Sequence, residues 1–236
     1  MAHPIPEPSR TPPRWSHCGH GSTTEDPVGC PGVQVSGHTA CLAHLTDTHR
    51  DAYLASLSPG ADVDHRGTPF TKELLDQLLD ALCHPATTRP RFGVADFESA
   101  TFDGTVDFRS AAFEGDASFG SAIFNGHAWF GEATFNGRAW FNKAAFRAMV
   151  GLDGAVFKGD ADFPFVTFAD IAGFTHVTFE RTATFQDAIF QKAAFYYSTF
   201  EGDASFLWAL FEQRAGFGEV TFKGEACFIG TTFKDA

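Results

Sequence analysis

Residues Phe124 to Phe141 read FNGHAWFGEATFNGRAWF, with phenylalanine at steps of six, five and six and an alanine two positions before each later ring. The same spacing extends in both directions. From Phe92 the ring positions run 97, 102, 108, 113, 119, 124, 130, 135, 141, 146, then Leu152, and onward to Phe233. Of the 28 phenylalanines in the chain, only Phe70 and Phe165 fall off this lattice, so the repeat is a property of the chain and not of its composition. From Phe102 the steps alternate five and six, with one slip between Phe190 and Phe200.

An alanine and a phenylalanine flanking one polar or β-branched residue make a very short period-2 segment, with the small and the large residue on the same side. The remaining residues turn a corner. Glycine occupies the second position after Phe in many of the six-residue steps (Gly104, Gly115, Gly126, Gly137, Gly159, Gly202, Gly224), which predicts corners that need a positive φ. Helix is excluded by the period. Like corners stack on like corners when a coil holds two eleven-residue units, giving four faces; a flattened two-sided coil of eleven residues is the rival.

The stretch ASFGSAIFNGHAWFGEATF, residues 117–135, resembles the pentapeptide-repeat family in a Phe-rich variant with alternating five- and six-residue spacing. The resemblance implies a mainly β fold, a right-handed quadrilateral β-helix, over residues 91–236. It also implies association of two copies through the C-terminal coil. The function expected from the residues themselves is a non-enzymatic scaffold that binds a protein partner through a flat face or the end of the β-helix. Some members imitate duplex DNA and protect DNA gyrase from inhibitors, which is the alternative function.

Charge weighs on that alternative. Residues 92–236 hold 19 acidic and 10 basic side chains, a net of −9. Duplex DNA of the same length, about 30 Å, carries roughly 18 phosphate charges. The whole-chain charge of −12 also argues against direct nucleic-acid binding.

The first ninety residues differ in kind. Residues 1–15 read as a disordered tail and 16–90 as a capping unit. HTACLAHLTDTHRDAYLASL predicts a helix from about Ala40 to Leu57, and TPFTKELLDQLLDALC a second one with Pro69 near its start. ADVDHRG between them is expected to pair with the first coil. Cys41 and His44, one helical turn apart, with Cys18 and Cys30 form a candidate Cys₃His set for a structural zinc, with His20 as the alternate ligand. The same residues also read as small buried hydrophobes and surface imidazoles.

No phosphate-cradling loop, zinc-protease motif or nucleophile motif is present, so no catalytic residue is assigned. Absence of an apolar leader or spanning run predicts a cytoplasmic chain. The outward positions Trp140, Phe165, Leu207, Trp208 and Ile229, with Cys227, are expected to form an apolar face for a protein partner.

Overall fold

The computed structural model describes residues 11–234. Of the tail expected over 1–15, residues 1–10 lie outside the described residues, whereas Trp15 is anchored: its indole N–H donates to the Pro31 carbonyl at 2.8 Å.

From Arg91 onward the chain winds into a β-solenoid of about six turns. Each turn has four faces, and every strand is parallel to its neighbours one turn before and after. On the first face Ala112–Phe113 pairs with Thr134–Phe135. On the second, Ala117–Ser118 pairs with Ala139–Trp140. Ile123–Phe124 pairs with Ala145–Phe146 on the third, and Ala128–Trp129 with Val150–Gly151 on the fourth. A shift of 22 residues therefore returns the chain to the same face.

Inside, the rings form four columns. Phe113 stacks on Phe135 at 4.6 Å between centroids and 2°, Phe119 on Phe141 at 4.9 Å, Phe124 on Phe146 at 4.5 Å and Phe108 on Phe130 at 5.2 Å. Rings in adjacent columns meet edge to face, as Phe119 and Phe130 do at 83°. Offset-stacked and T-shaped contacts both suit the aromatic quadrupole. Each ring buried here contributes roughly 1.5–3 kcal/mol before ordering entropy is counted.

The sequence slip falls at one corner. Phe168 pairs with Phe190 and Ile171 with Lys192, so the corner after Phe190 is one residue shorter and the strand Ile189–Ala194 runs continuously around it. The turn then closes in 21 residues, and Thr178 pairs with Thr199.

The expected reason for the glycines is corrected by the backbone. Positive φ belongs to the five-residue corners, two residues after the ring, and is mostly held by other residues: Ser99, Ser121, Lys143, Phe165, His176, Tyr197 and Trp208 among them. Of the glycines in the six-residue corners only Gly104 has a positive φ. The others are needed because successive turns approach closely. A Cβ on Gly137 would lie 2.5 Å from the Gly115 carbonyl carbon and 2.7 Å from the Asp116 nitrogen. Gly137→Ala should therefore cost about 1–3 kcal/mol. Gly173→Ala, where the nearest atoms stand 3.6 Å away, should change stability by less than about 0.5 kcal/mol. Urea denaturation of the two variants checks this.

The capping unit begins the solenoid. Strand β1 (Ala61–Asp64) pairs with Phe92–Asp96, and β2 (Pro69–Thr71) pairs with Thr101–Asp103. Phe70 stacks on Phe102 at 5.3 Å, so it heads the third column and is on the lattice after all. Pro69 lies in β2 and not in the helix that follows. Helix α1 spans Asp47–Ser56, shorter than expected, because Thr46 caps it by accepting from the His49 N–H and the chain before it forms only a short 3₁₀ turn, Leu42–His44. Helix α2 (Lys72–Ala81) starts at Thr71, whose side chain accepts from the Leu74 N–H; Leu74, Leu75, Leu78 and Leu79 are buried, as is Leu82 at its end.

His65 occupies the place of a ring at the head of the second column, 6.2 Å from Phe97 and fully buried. Its Nε2 lies 3.2 Å from the Tyr53 hydroxyl, and its Nδ1 and the Thr68 hydroxyl are buried with no hydrogen-bond partner among the described residues. Burial lowers the His65 pKa from 6.5 to about 4. The unfolded chain therefore binds the proton first as pH falls. Stability from the neutral imidazole is complete above about pH 6.5 and drains away as pH drops toward 4, by on the order of 3 kcal/mol. His65→Phe should flatten the stability profile across that window, as measured by thermal melts at a series of pH values.

Candidate metal centre and apolar surfaces

Two backbone links fold the Cys/His segment back on itself: the Cys18 N–H donates to the Gly32 carbonyl and the Gly19 N–H to the Cys30 carbonyl. Gly19 and Gly29 adopt positive φ, and at Gly29 the His20 carbonyl and Ser22 nitrogen would stand 2.7 Å from any Cβ. These tight turns, with the 3₁₀ turn that follows Cys41, bring Cys18, Cys30, Cys41 and His44 together. Their ligand atoms all lie within 4.8 Å of one another. The Cys30 and Cys41 sulfurs are 3.7 Å apart, and His44 Nδ1 is 3.4 Å from the Cys41 sulfur and 3.5 Å from the Cys18 sulfur. This group could hold a metal ion. His20, the alternate ligand, instead stacks on the His44 ring at 4.1 Å.

Electrostatics within the pair are unequal. Cys30 accepts from the Cys41 thiol and from the Gly32 N–H, which lowers its pKa to about 5. Cys41 is driven upward by donating to Cys30 and by burial. A bound cation would displace the protons still carried by the cysteine ligands.

The segment is docked on the first turn. The Val33 N–H donates to the Arg66 carbonyl, and Gly67 has no room for a Cβ beside the Pro31 carbonyl. The Arg66 guanidinium lies 4.9 Å from the Trp15 ring centre and pairs with Asp64 and Asp96. Residues 11–15 thereby form one wall of a groove of about 850 Å³, whose other side includes Ile123, Lys143, Ala145 and Phe165.

The five residues expected on one partner face lie in three places. Trp140 is half-buried on the second face, between Ser118 and Asp162, with Arg138 stacked 4.9 Å from its ring centre. Phe165 stands at the corner between the second and third faces, 51% exposed, and Asp187 at the corresponding corner of the next turn separates it from Trp208. Leu207, Trp208 and Ile229 come together at that same corner in the last two turns: the Trp208 N–H donates to the Ile229 carbonyl and the indole lies over Gly230. Cys227 sits on the second face, paired with Ser205.

The C-terminal coil, where two copies are expected to associate, carries exposed rings that the sequence reading did not name. Among the described residues, the strands of the last turn, Thr221–Phe222, Ala226–Cys227 and Thr232–Phe233, pair only with the turn before them. Phe228 and Phe233 stack on Phe206 and Phe211 but are 37% and 43% exposed. Nor did it name Ile189 and Leu210, partly buried neighbours on the outer surface of the third face. The residue before each third-face Phe was the signal that could have found them.

Residues 97–145 match the family model described as pentapeptide repeats (9 copies). That segment is a run of pentapeptide repeats. The stacked columns carry this repeat beyond the matched segment, from Phe92 to Phe233. No curated protein and no solved structure matches the chain. No helix among the described residues is long and apolar enough to cross a membrane.

Proposed function

We propose that this protein is a non-enzymatic protein-interaction scaffold that binds protein through the open end of its solenoid. One observation carries the reading. Of the eight large hydrophobic side chains exposed among the described residues, six (Tyr196, Tyr197, Trp208, Phe228, Ile229 and Phe233) lie on the last two turns. Apolar area concentrated beside unpaired strand edges is the pattern of a surface that is covered in use. The occupant we assign is a second copy of the chain. The opposite end is capped by α1, α2 and the Cys/His segment, so end-to-end association closes at two chains and does not propagate.

A DNA-like role toward gyrase has weaker support. Several solenoid carboxylates are neutralised by bases: Asp162 by Arg138, Glu201 by Lys223, Glu212 by Lys234, Asp107 by Arg109 and Glu114 by Arg91. Each such pair lowers the negative charge that the solenoid presents below that of the phosphate backbone.

Light scattering tests the scaffold reading. The parent chain should be a dimer at micromolar concentration, and the double variant Trp208→Asp, Ile229→Asp a monomer with an unchanged circular dichroism spectrum. A parent that stays monomeric, or a variant that stays dimeric, would contradict the reading.

Within the cap we assign a structural zinc to Cys18, Cys30, Cys41 and His44. A tetrahedral zinc with Zn–S of about 2.3 Å and Zn–N of about 2.0–2.1 Å sets edges of about 3.8 Å between sulfurs and about 3.5 Å between sulfur and nitrogen. The separations of 3.7, 3.5 and 3.4 Å fit that frame. Four protein ligands leave no open position for water, so the ion would hold the fold and not act in catalysis. Elemental analysis should find about one zinc per chain, and cobalt substitution should give the absorption of a tetrahedral thiolate site. Removal by chelator should lower the melting temperature. A chain that retains no metal and gives no cobalt spectrum would refute the assignment.

A further inference from the structure

The thiols of the cluster differ in access. Cys41 is fully buried and Cys30 is 7% exposed, whereas Cys18 is half-buried, so an oxidant from solvent meets Cys18 first. We propose that the cluster is a peroxide-responsive thiol switch, with Cys18 as the reacting thiol, that fastens and releases the Trp15 segment. The proposal rests on the reading of the cluster as a zinc centre.

The chemistry balances with a peroxide as the oxidant. The Cys18 sulfur attacks a peroxide oxygen, the O–O bond breaks, and hydroxide leaves a sulfenic acid on Cys18. The neighbouring thiolate of Cys30 or Cys41 then attacks the Cys18 sulfur, the S–O bond breaks, and a second hydroxide departs. Two thiols and one peroxide become one disulfide and two waters. Only one thiolate and His44 remain as ligands, too few to hold zinc in a closed site.

Closure of the disulfide moves the backbone that anchors Trp15. A disulfide brings its sulfurs to about 2.05 Å, and the reduced cluster is spread over larger separations. Gly32 is wedged between the two buried cysteines: a Cβ there would lie 2.7 Å from the Cys41 Cβ and sulfur and 3.3 Å from the Cys30 sulfur. The carbonyl of Gly32 holds the Cys18 N–H, and the carbonyl of the adjoining Pro31 holds the Trp15 indole. With no slack at Gly32, a shift of Cys18, Cys30 or Cys41 displaces the acceptor of Trp15. Released, the segment opens the groove along Ile123, Ala145 and Phe165. The metal thus acts as a clasp for one wall of that groove.

The test uses the full chain, zinc-loaded, with Cys83→Ser and Cys227→Ser so that only the cluster thiols remain. Trp129→Phe, Trp140→Phe and Trp208→Phe leave Trp15 as the sole indole, and the parent chain is run in parallel for zinc release and disulfide mapping. Equimolar hydrogen peroxide should produce one disulfide containing Cys18, free one zinc per chain and shift Trp15 emission to longer wavelength. Dithiothreitol with zinc should reverse all three. Cys18→Ser should slow thiol loss to peroxide by about tenfold or more. Retained zinc with unchanged thiols, a disulfide lacking Cys18, or a disulfide with Trp15 emission unmoved would each overturn the switch. If the chain binds no zinc, the metal assignment fails separately. Peroxide added to that metal-free chain must still yield the Cys18 disulfide and the Trp15 shift, or the switch fails with it.

Discussion

Stacking of phenylalanine on phenylalanine, one turn above another, is the contact on which the rest of this solenoid depends. Parallel strands in adjacent turns are held about 4.7–4.9 Å apart by their hydrogen bonds. Offset rings stack at a matching distance, as in the 4.6 Å separation of Phe135 from Phe157 and the 4.8 Å separation of Phe141 from Phe163. One repeat distance therefore satisfies backbone and core together. It also explains the left-handed corners. Holding Ser121, Lys143 or Phe165 at positive φ costs roughly 1–2 kcal/mol each, and a buried ring offsets that cost.

Such a core is repetitive and says little about function. Whatever distinguishes this chain lies where the lattice is interrupted. His65 replaces a ring in the first turn, α2 is inserted between Phe70 and Phe92, the corner after Phe190 is shortened, and the rings of the last described turn, Phe228 and Phe233, are exposed. Two of these interruptions lie in the cap, where the Cys/His segment docks on Arg66 and Gly67. The last leaves Phe228 and Phe233 in solvent beside Trp208 and Ile229.

The sequence disclosed the columns because ring spacing is a local signal, and a period of 22 residues survives any choice of outward side chain. It disclosed the Cys₃His group because Cys41 and His44 are close in sequence and no other cysteines fit with them. It hid Phe70, since the ten residues of α2 displace that ring from the count although it stacks on Phe102. The role of the glycines was also hidden. A close approach such as Gly137 to Gly115 depends on two turns meeting in space, and residue identity at one position does not separate that from a positive φ. The outward apolar residues were legible one by one but not as a surface. Arg138 over Trp140 and Asp187 between Phe165 and Trp208 break a stripe that spacing alone makes continuous.

The central claim is that the last turn is covered by a second chain, and amide hydrogen exchange read at two protein concentrations tests it most directly. The account predicts that amides of residues 221–233 are protected at high concentration and exchange faster on dilution, while those of the middle turns, such as Phe135 and Phe157, do not change. Fast exchange of residues 221–233 at every concentration would contradict it.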